Sequence, residues 1–233
     1  MPPSRDFAQG YLETNLPAEP FASVPRLLAG SARLFFGNLP RIAAITLLVF
    51  LPGKFALQLL CSALDVPENG PLSYGISALS DLILGALAAP AVVAQLLGRP
   101  MGLSLRWGRR MWAKSLWNAI KMQVTVVLWG LLLIVPGVVA AVRLVFTDVI
   151  VAVEADRTGD VLGRSRELSK GHGWRIFLVI AVLGLIDLLA WGGVLRLHLG
   201  MALTDSLLAV VSQWSLAAAL LMYLGITRAS VQP

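Results

Sequence analysis

The chain has 233 residues, of which 57% are hydrophobic and only 14% charged, with a formal net charge of +6. A water-soluble domain carries about 25% charged residues, so this composition indicates an integral membrane protein instead. The basic residues lie in short segments between apolar runs, which argues against a nucleic-acid partner and is typical of membrane topology. The single Cys61 excludes an intramolecular disulfide and a cysteine-rich metal site.

The apolar runs predict six membrane-spanning helices, each near the ~20 residues needed to cross a ~30 Å hydrocarbon core. The predicted spans cover residues 41–63, 73–97, 115–135, 137–153, 175–195 and 203–226. The first forty residues lack the pattern of a signal peptide, so we expect the first span to be an uncleaved anchor. The predicted organisation is a flexible segment at 1–20, one six-span membrane domain at 21–228 and a tail at 229–233.

The fourth predicted span begins directly after Pro136 and Gly137, and this pair has two interpretations. It is either a tight turn between two spans or a proline kink within one long helix. Basic segments precede the third span and follow the fourth, and both belong on the cytoplasmic side under the positive-inside rule. An even number of crossings must therefore separate them, which favours the turn.

The same rule predicts the orientation of the whole chain. With both termini in the cytoplasm, fifteen of the nineteen Lys and Arg residues are cytoplasmic and only Arg196 is on the opposite side. The loop at 64–72 holds two acids and no base, which fits the outer side. We therefore predict a multi-pass protein of a bacterial cytoplasmic membrane with both termini inside.

A weak internal repeat indicates how the spans are grouped. Residues 31–42 (SARLFFGNLPRI) align with 165–176 (SRELSKGHGWRI), with Ser, Leu, Gly, Arg and Ile at the same spacing before an apolar run. The basic segment 102–114 is a weaker third copy. The predicted fold is therefore all-α, with three helical hairpins, each preceded by a basic amphipathic helix at the membrane surface.

The segment 158–171 is predicted to be one of these surface helices. Val161, Leu162, Ser165 and Leu168 fall on one face, and charged residues line the rest. Such a helix can lie in the headgroup layer and attract anionic lipid, at about 1 kcal/mol per Lys or Arg. The candidate headgroup residues are Arg164, Arg166, Lys170, Arg109 and Arg110. Alternatively, these charges set only the topology and bind no specific ligand.

The sequence from Ile134 to Phe177 contains a Pro-Gly pair, a downstream acid, an Arg-Ser pair and a Lys-Gly…Trp segment, in this order. The matching residues are Pro136, Gly137, Glu154, Arg164, Ser165, Lys170, Gly171 and Trp174. This pattern resembles the membrane domain fused to some glycerophosphoryl diester phosphodiesterases and the related YciC-like bacterial inner-membrane proteins. The resemblance implies a multi-span helical membrane domain without an assigned activity. The phosphodiesterase chemistry of that group belongs to a separate soluble domain with a metal site, which this sequence does not contain.

Away from the first three residues of each span, three bases and three acids lie within the predicted spans: Lys54, Lys121, Arg143, Asp81, Asp148 and Asp187. A charge at the bilayer centre costs at least ~2.5–3.5 kcal/mol, so such side chains usually face the bundle interior and pair. Depths counted at ~1.5 Å per residue place Arg143 near Asp81 and Asp187, and Lys121 near Asp148. The first group is either a structural ion pair or a polar pathway for a proton, ion or anionic headgroup.

Catalytic and metal-binding motifs are missing from the sequence. It has no phosphate-binding loop, no HExxH and no GxSxG, and His172 and His198 are predicted on opposite sides of the membrane. We therefore expect no enzyme activity, no cofactor and no metal. The favoured function is a non-enzymatic protein of the lipid bilayer that engages anionic phospholipid headgroups or supports a protein partner, including a second copy of itself. The alternatives are a small transporter or channel built on Arg143, Asp81 and Asp187, and an intramembrane enzyme.

Overall fold

Helices make up almost all of the part of the chain that the structure describes. The structure is a computed structural model that describes residues 23–67, 70–154, 159–195 and 201–229. Within these ranges there is no strand, and the eight helices are α1 (Val24–Ala63), α2 (Pro71–Leu96), α3 (Met101–Leu132), α4 (Ile134–Leu144), α5 (Thr147–Glu154), α6 (Val161–Ser169), α7 (Gly173–Leu195) and α8 (Met201–Ala229). The predicted all-α fold is confirmed. The flexible segment predicted at 1–20 and residues 230–233 of the predicted tail lie outside the described residues.

Five helical stretches are long and apolar enough to cross a membrane, which fits a multi-pass membrane protein. They are Val24–Ala63, Pro71–Leu96, Ile134–Glu154, Gly173–Gly193 and Ala202–Thr227, and the third of them joins α4 and α5. The predicted span at 115–135 corresponds to the second half of α3, which is not among the five. Its apolar run is interrupted by Asn118, Lys121 and Gln123.

The basic helices predicted before the first two hairpins are not separate elements. α1 runs for 40 residues through Pro40 and Pro52, and α3 runs for 32 residues, so each joins a basic first half to an apolar second half. At ~1.5 Å per residue α1 is ~60 Å long, about twice the hydrocarbon thickness. α6 is a separate short helix, after which the chain turns at Gly171 with φ +83°. Glycine adopts this left-handed backbone without steric strain.

The apolar core lies at the end of the bundle that carries the basic segments. The short helix α5 is at its centre, where Val149, Ile150 and Val151 are completely buried. The first half of α1, the last turns of α2 and the second half of α8 pack around it. At the opposite end, large apolar side chains such as Leu59 and Leu131 are more than two-thirds exposed. Lipid tails are as apolar as these side chains, so their exposure fits a membrane-embedded surface.

The chain reverses direction at Leu133, between α3 and α4. Leu133 has an extended backbone (φ −162°, ψ 138°), and beyond it a Cβ atom added to Gly137 would lie 2.7 Å from the Cα atom of Gly130. Seven residues of a continuous helix would separate these glycines by ~10 Å, so the contact requires a tight turn. The turn rather than the kink is therefore present, but it precedes the Pro-Gly pair. Pro136 lies in the first turn of α4, where its missing amide hydrogen is not needed.

Candidate functional site

A break between α4 and α5 is bridged by a side chain from α6. α4 ends at Leu144 and α5 begins at Thr147, and between them the amide of Phe146 donates a hydrogen bond to Ser165 Oγ at 3.2 Å. The Ser165 hydroxyl in turn donates to the carbonyl oxygen of Arg143 at 2.9 Å. Ser165 is completely buried, and both of its partners are backbone groups at a helix end, which need partners from outside the helix. α6 is thereby fixed to the middle of the α4–α5 span.

Two further side chains bind backbone carbonyl groups of this span. The hydroxyl of Thr147 donates to the carbonyl oxygen of Leu144 at 2.7 Å. The indole N–H of Trp107, on α3, donates to the carbonyl oxygen of Ala152 at 3.1 Å. Carbonyl groups near the ends of both short helices are thus bound by side chains, as burial away from water requires.

Glu154, the last residue of α5, joins α5 to α6 and α8. Its Oε1 accepts a hydrogen bond from the hydroxyl of Tyr223 at 2.8 Å and lies 3.6 Å from Arg164 Nε. Arg164 also lies 3.5 Å from Glu167 on its own helix. Glu154, Arg164 and Ser165 belong to the motif on which the family resemblance is based. In the structure these three residues hold the broken span against its neighbours.

A groove opens between α4, α6 and α7, beside this junction. Its volume is about 830 Å³, within the range of ~300–1,000 Å³ that is typical of ligand sites. One wall is formed by Val135, Val138, Val139 and Val142 of α4, whose spacing places them on one face of the helix. Phe177 of α7 also lines the groove. The groove is therefore apolar along most of the length of α4.

The charged side chains of the groove lie at one end of it. Arg143, Arg166 and Lys170 contribute three positive charges and Glu167 one negative charge, so the formal charge is 3 − 1 = +2. The bond between Ser165 and the carbonyl of Arg143 places the last turn of α4 beside α6, which carries the other charged residues. The groove is thus polar where α4 meets α6 and apolar towards the start of α4.

Aromatic side chains stand at the α7 side of the groove. Trp174 is 70% exposed and stacks on Phe177, with ring centroids 5.3 Å apart. The turn at Gly171, another residue of the family motif, lines the groove between Lys170 and α7. Lys170, Gly171 and Trp174 therefore contribute to one surface.

The predicted group of Arg143, Asp81 and Asp187 does not form. Among the described residues no ion pair joins Arg143 to either aspartate, and Asp81 Oδ1 lies 2.7 Å from Lys54 Nζ instead. Asp187 is half-buried on α7. The depth estimate assumed a straight helix that starts at Gly137. The reversal at Leu133, four residues earlier, and the break after α4 place Arg143 beside α6.

The predicted Lys121–Asp148 ion pair does not form either. Lys121 is exposed, and its ammonium group lies 5.0 Å from the ring centroid of Trp117 on the same helix. Asp148 lies in the first turn of α5, where the helix dipole favours a carboxylate. The start of α5 exists only because of the break. A prediction that paired residues by their depth along straight helices could not anticipate this position of Asp148.

Of the five basic residues predicted to meet lipid headgroups, Arg166 and Lys170 line the groove. Arg164 pairs with two glutamates and does not line it. Arg109 and Arg110 are exposed on α3, and the guanidinium of Arg110 lies 5.9 Å from the ring centroid of Trp107. The predicted set therefore divides into groove residues, an ion-pairing residue and an exposed pair.

The apolar face predicted for α6 is present but is covered by protein rather than by lipid. Val161, Ser165 and Leu168 are all buried, and Val161 and Leu168 belong to the main core. The hydroxyl of Ser165 is bound to the broken span, so this face of α6 packs against the bundle. Its exposed residues, including Arg166, remain available to the groove.

A polar cluster that the sequence analysis did not predict lies at the opposite end of the bundle. Lys54 Nζ is 2.7 Å from Asp81 Oδ1 and 3.1 Å from Asp205 Oδ2, and it donates a hydrogen bond to Ser77 Oγ at 3.1 Å. The cluster joins α1, α2 and α8. Lys54 is the lone base between residues 42 and 63, and this isolation in an apolar run could have indicated that its side chain pairs inside the bundle. Asp205 was left out of the pairing because it lies at the very start of the last predicted span.

Comparison with known proteins found no family for the chain. No protein-family model, no curated protein and no solved structure matches it. The resemblance drawn from the motif residues therefore stays a prediction, and function has to be argued from the groove and the polar cluster.

Proposed function

We propose that this protein is a non-enzymatic, multi-pass protein of a bacterial cytoplasmic membrane that binds an anionic phospholipid in the groove between α4, α6 and α7. The observation that carries the proposal is the division of the groove into an end with a formal charge of +2 and a valine-lined remainder. A phospholipid has the same division, with an anionic phosphate on apolar acyl chains. A groove of this kind binds an amphiphile in one orientation.

The charged end of the groove suits a phosphate group. Arg143 and Arg166 each offer N–H donors in a planar fork that matches phosphate oxygens, and Lys170 adds a compact ammonium group. Glu167 lies 3.5 Å from Arg164, so a basic side chain outside the groove partly offsets its charge. The basic groups therefore dominate the polar end.

The apolar part of the groove suits an acyl chain. From Val135 to Val142 the stripe extends seven residues, or ~10 Å along the helix axis. Val138 and Val139 are about 40% exposed, so the wall is open to a bound chain. Trp174, exposed beside the charged end, is of the residue type that favours the headgroup region.

The proposed topology turns the charged end of the groove towards the cytoplasmic side, where α7 begins. We propose that the second half of α3 is a sixth crossing and that both termini are cytoplasmic, as the distribution of basic residues predicts. Leu131 and Ile134, beside the tight turn at Leu133, are each 81% exposed and need an apolar environment, which supports a hairpin inserted in the membrane. Anionic lipids of the cytoplasmic leaflet would then meet the basic end of the groove.

Native mass spectrometry of the protein purified in mild detergent tests the proposal. We expect the wild-type protein to retain an anionic phospholipid. We expect the triple variant Arg143→Gln, Arg166→Gln, Lys170→Gln to lose it, because only the apolar wall remains. Size-exclusion chromatography of both proteins checks that the variant is folded.

A second triple variant controls for net charge. Arg106→Gln, Arg109→Gln, Arg110→Gln removes three exposed positive charges from α3, outside the groove. This variant should keep the lipid that the groove variant loses. Equal retention by the wild type and the groove variant would contradict the proposal. Equal loss from both variants would also contradict it, because binding would then follow net charge rather than the groove.

A further inference from the structure

The ammonium group of Lys54 is fully engaged by its neighbours. An ammonium group has three N–H donors, and acceptor atoms of Asp81, Asp205 and Ser77 lie within 3.1 Å of Lys54 Nζ. The side chain of Lys54 is only 2% exposed, whereas Asp81 and Asp205 are 53% and 29% exposed. One positive and two negative charges leave the cluster with a formal charge of −1.

A cavity of about 490 Å³ opens beside this cluster. Lys54, Asp205 and Ser77 line it together with Gln58 and Asp65. Since one water molecule takes up about 30 Å³, the cavity is large enough for a small organic molecule. The donors of Lys54 are engaged, whereas the carboxylates of Asp205 and Asp65 retain acceptor oxygens. The cavity therefore favours a cation.

The remaining walls determine the shape of that cation. Leu57, Val66 and Ala202 add apolar surface, which suits a short alkyl group. One helical turn from Lys54 and Asp205, the side chains of Phe50 and Ala209 pack with Ala88 in a small buried apolar cluster. This cluster packs α1, α2 and α8 together beside the ion pairs of Lys54.

We propose that this cavity binds a small primary ammonium compound with a short alkyl chain, whose ammonium group replaces that of Lys54 at the Asp205 carboxylate. In the free protein Lys54 occupies the ammonium position itself. When the ligand binds, Lys54 keeps its bond to Asp81, so no carboxylate of the cluster is left unpaired. This site shares no lining residue with the phospholipid groove and does not depend on it.

Isothermal titration calorimetry with n-butylammonium chloride tests the proposal on the purified protein in a neutral detergent. Sodium chloride and sodium butanoate are titrated at the same ionic strength. We expect saturable binding of n-butylammonium and none of sodium or butanoate. Binding of sodium with equal affinity would overturn the proposed ligand class, and so would binding of butanoate.

Two variants of the cluster should change the affinity in opposite directions. Lys54→Met removes the internal competitor, so we expect n-butylammonium to bind about tenfold more tightly or better. Asp205→Asn removes the charged acceptor, so we expect about tenfold weaker binding or none. Asp187→Asn is the matched control, because it neutralises an aspartate of α7 outside the cavity and should leave the affinity unchanged. A cluster with a purely structural role would show no amine binding in any of these proteins.

A third variant keeps the test decisive if the ion-pair variants do not fold. Ser62→Leu narrows the cavity at an exposed position without altering the ion pairs of Lys54. We expect it to fold, as judged by size-exclusion chromatography, and to weaken n-butylammonium binding about tenfold or more. Unchanged affinity in Ser62→Leu would overturn the proposal, as would unchanged affinity in a folded Asp205→Asn protein or the absence of saturable binding to the wild type.

Discussion

Ser165 and Arg143 are joined by a hydrogen bond of 2.9 Å from the serine hydroxyl to the arginine carbonyl oxygen. The same hydroxyl accepts a hydrogen bond from the amide of Phe146. One side chain therefore binds backbone groups on both sides of the helix break. Unpaired backbone groups cost several kcal/mol each in a lipid environment. Ser165 therefore stabilises a break that residues 134–154 could not maintain alone, and it positions Arg143 at the groove.

We expect Ser165→Ala to lower the free energy of unfolding by about 1–3 kcal/mol, because a buried donor and a buried acceptor lose their partner. Unfolding by SDS, followed by far-ultraviolet circular dichroism, measures the change. Ser169→Ala is the matched control. Ser169 is also buried on α6, but its hydroxyl donates to the carbonyl of Arg166 on the same helix, so its loss should cost less than about 1 kcal/mol. Equal costs would contradict the role given to Ser165.

The close approach of Gly137 to Gly130 predicts that no side chain is tolerated there. We expect Gly137→Ala to destabilise the protein by about 1–3 kcal/mol, because the new Cβ atom would lie 2.7 Å from a backbone atom and force α3 and α4 apart. Gly184→Ala makes the same change on α7, where a Cβ atom meets nothing within 4 Å. The same unfolding assay should show little or no loss for Gly184→Ala. A stable Gly137→Ala protein would argue against the tight turn at Leu133.

Tyr223 and Arg164, both partners of Glu154, are expected to differ in their contributions to stability. Tyr223→Phe removes a hydrogen bond to a carboxylate and should cost about 1.5–3 kcal/mol. Arg164→Gln should cost no more than about 1 kcal/mol, because Arg164 is 40% exposed and its separation from Glu154 is long, at 3.6 Å. Unfolding of the two variants in the same detergent compares them. The reverse order of costs would show that the ion pair, rather than the tyrosine, holds α5 in place.

The single cysteine provides a test of the proposed orientation. Cys61 is half-exposed and lines the cavity at the end of α1, so a membrane-impermeant thiol reagent should modify it in intact spheroplasts. The control is Arg109→Cys in a Cys61→Ser background, which moves the thiol to the exposed basic surface of α3. That variant should react only after permeabilisation. The opposite pattern would reverse the topology, and the charged end of the groove would then face the outer side.

The long apolar runs made most of the fold predictable. The spans predicted at 73–97 and 175–195 agree within two residues with the starts and ends of α2 and α7, because a continuous apolar run of membrane length has few other structures available. The break between α4 and α5 could not be predicted in this way. Val145 and Phe146 are not helix breakers, and the cause of the break is Ser165, which lies 19 residues further along the chain from Phe146.

The candidate sites were predicted only in part, for a geometric reason. Arg166 and Lys170 were selected as headgroup residues from their charge and their helical face, and both line the groove. Arg143 was paired with Asp81 and Asp187 because depth was counted along straight helices. The reversal at Leu133 and the break after α4 make that count invalid. Lys54 had an apolar sequence context but no indication of its partners, since its contacts to α2 and α8 depend on how the helices pack.

The break also constrains the order in which the protein is assembled. Residues 134–154 leave the ribosome before Ser165 does, so the amide of Phe146 and the carbonyl of Arg143 at first lack the partner that they have in the final structure. A newly inserted segment without that partner is most stable in lipid as one unbroken helix, with all backbone hydrogen bonds internal. The break then forms when α6 docks against the inserted helix. The groove between α4, α6 and α7 is therefore completed late in biogenesis, after its valine wall has formed.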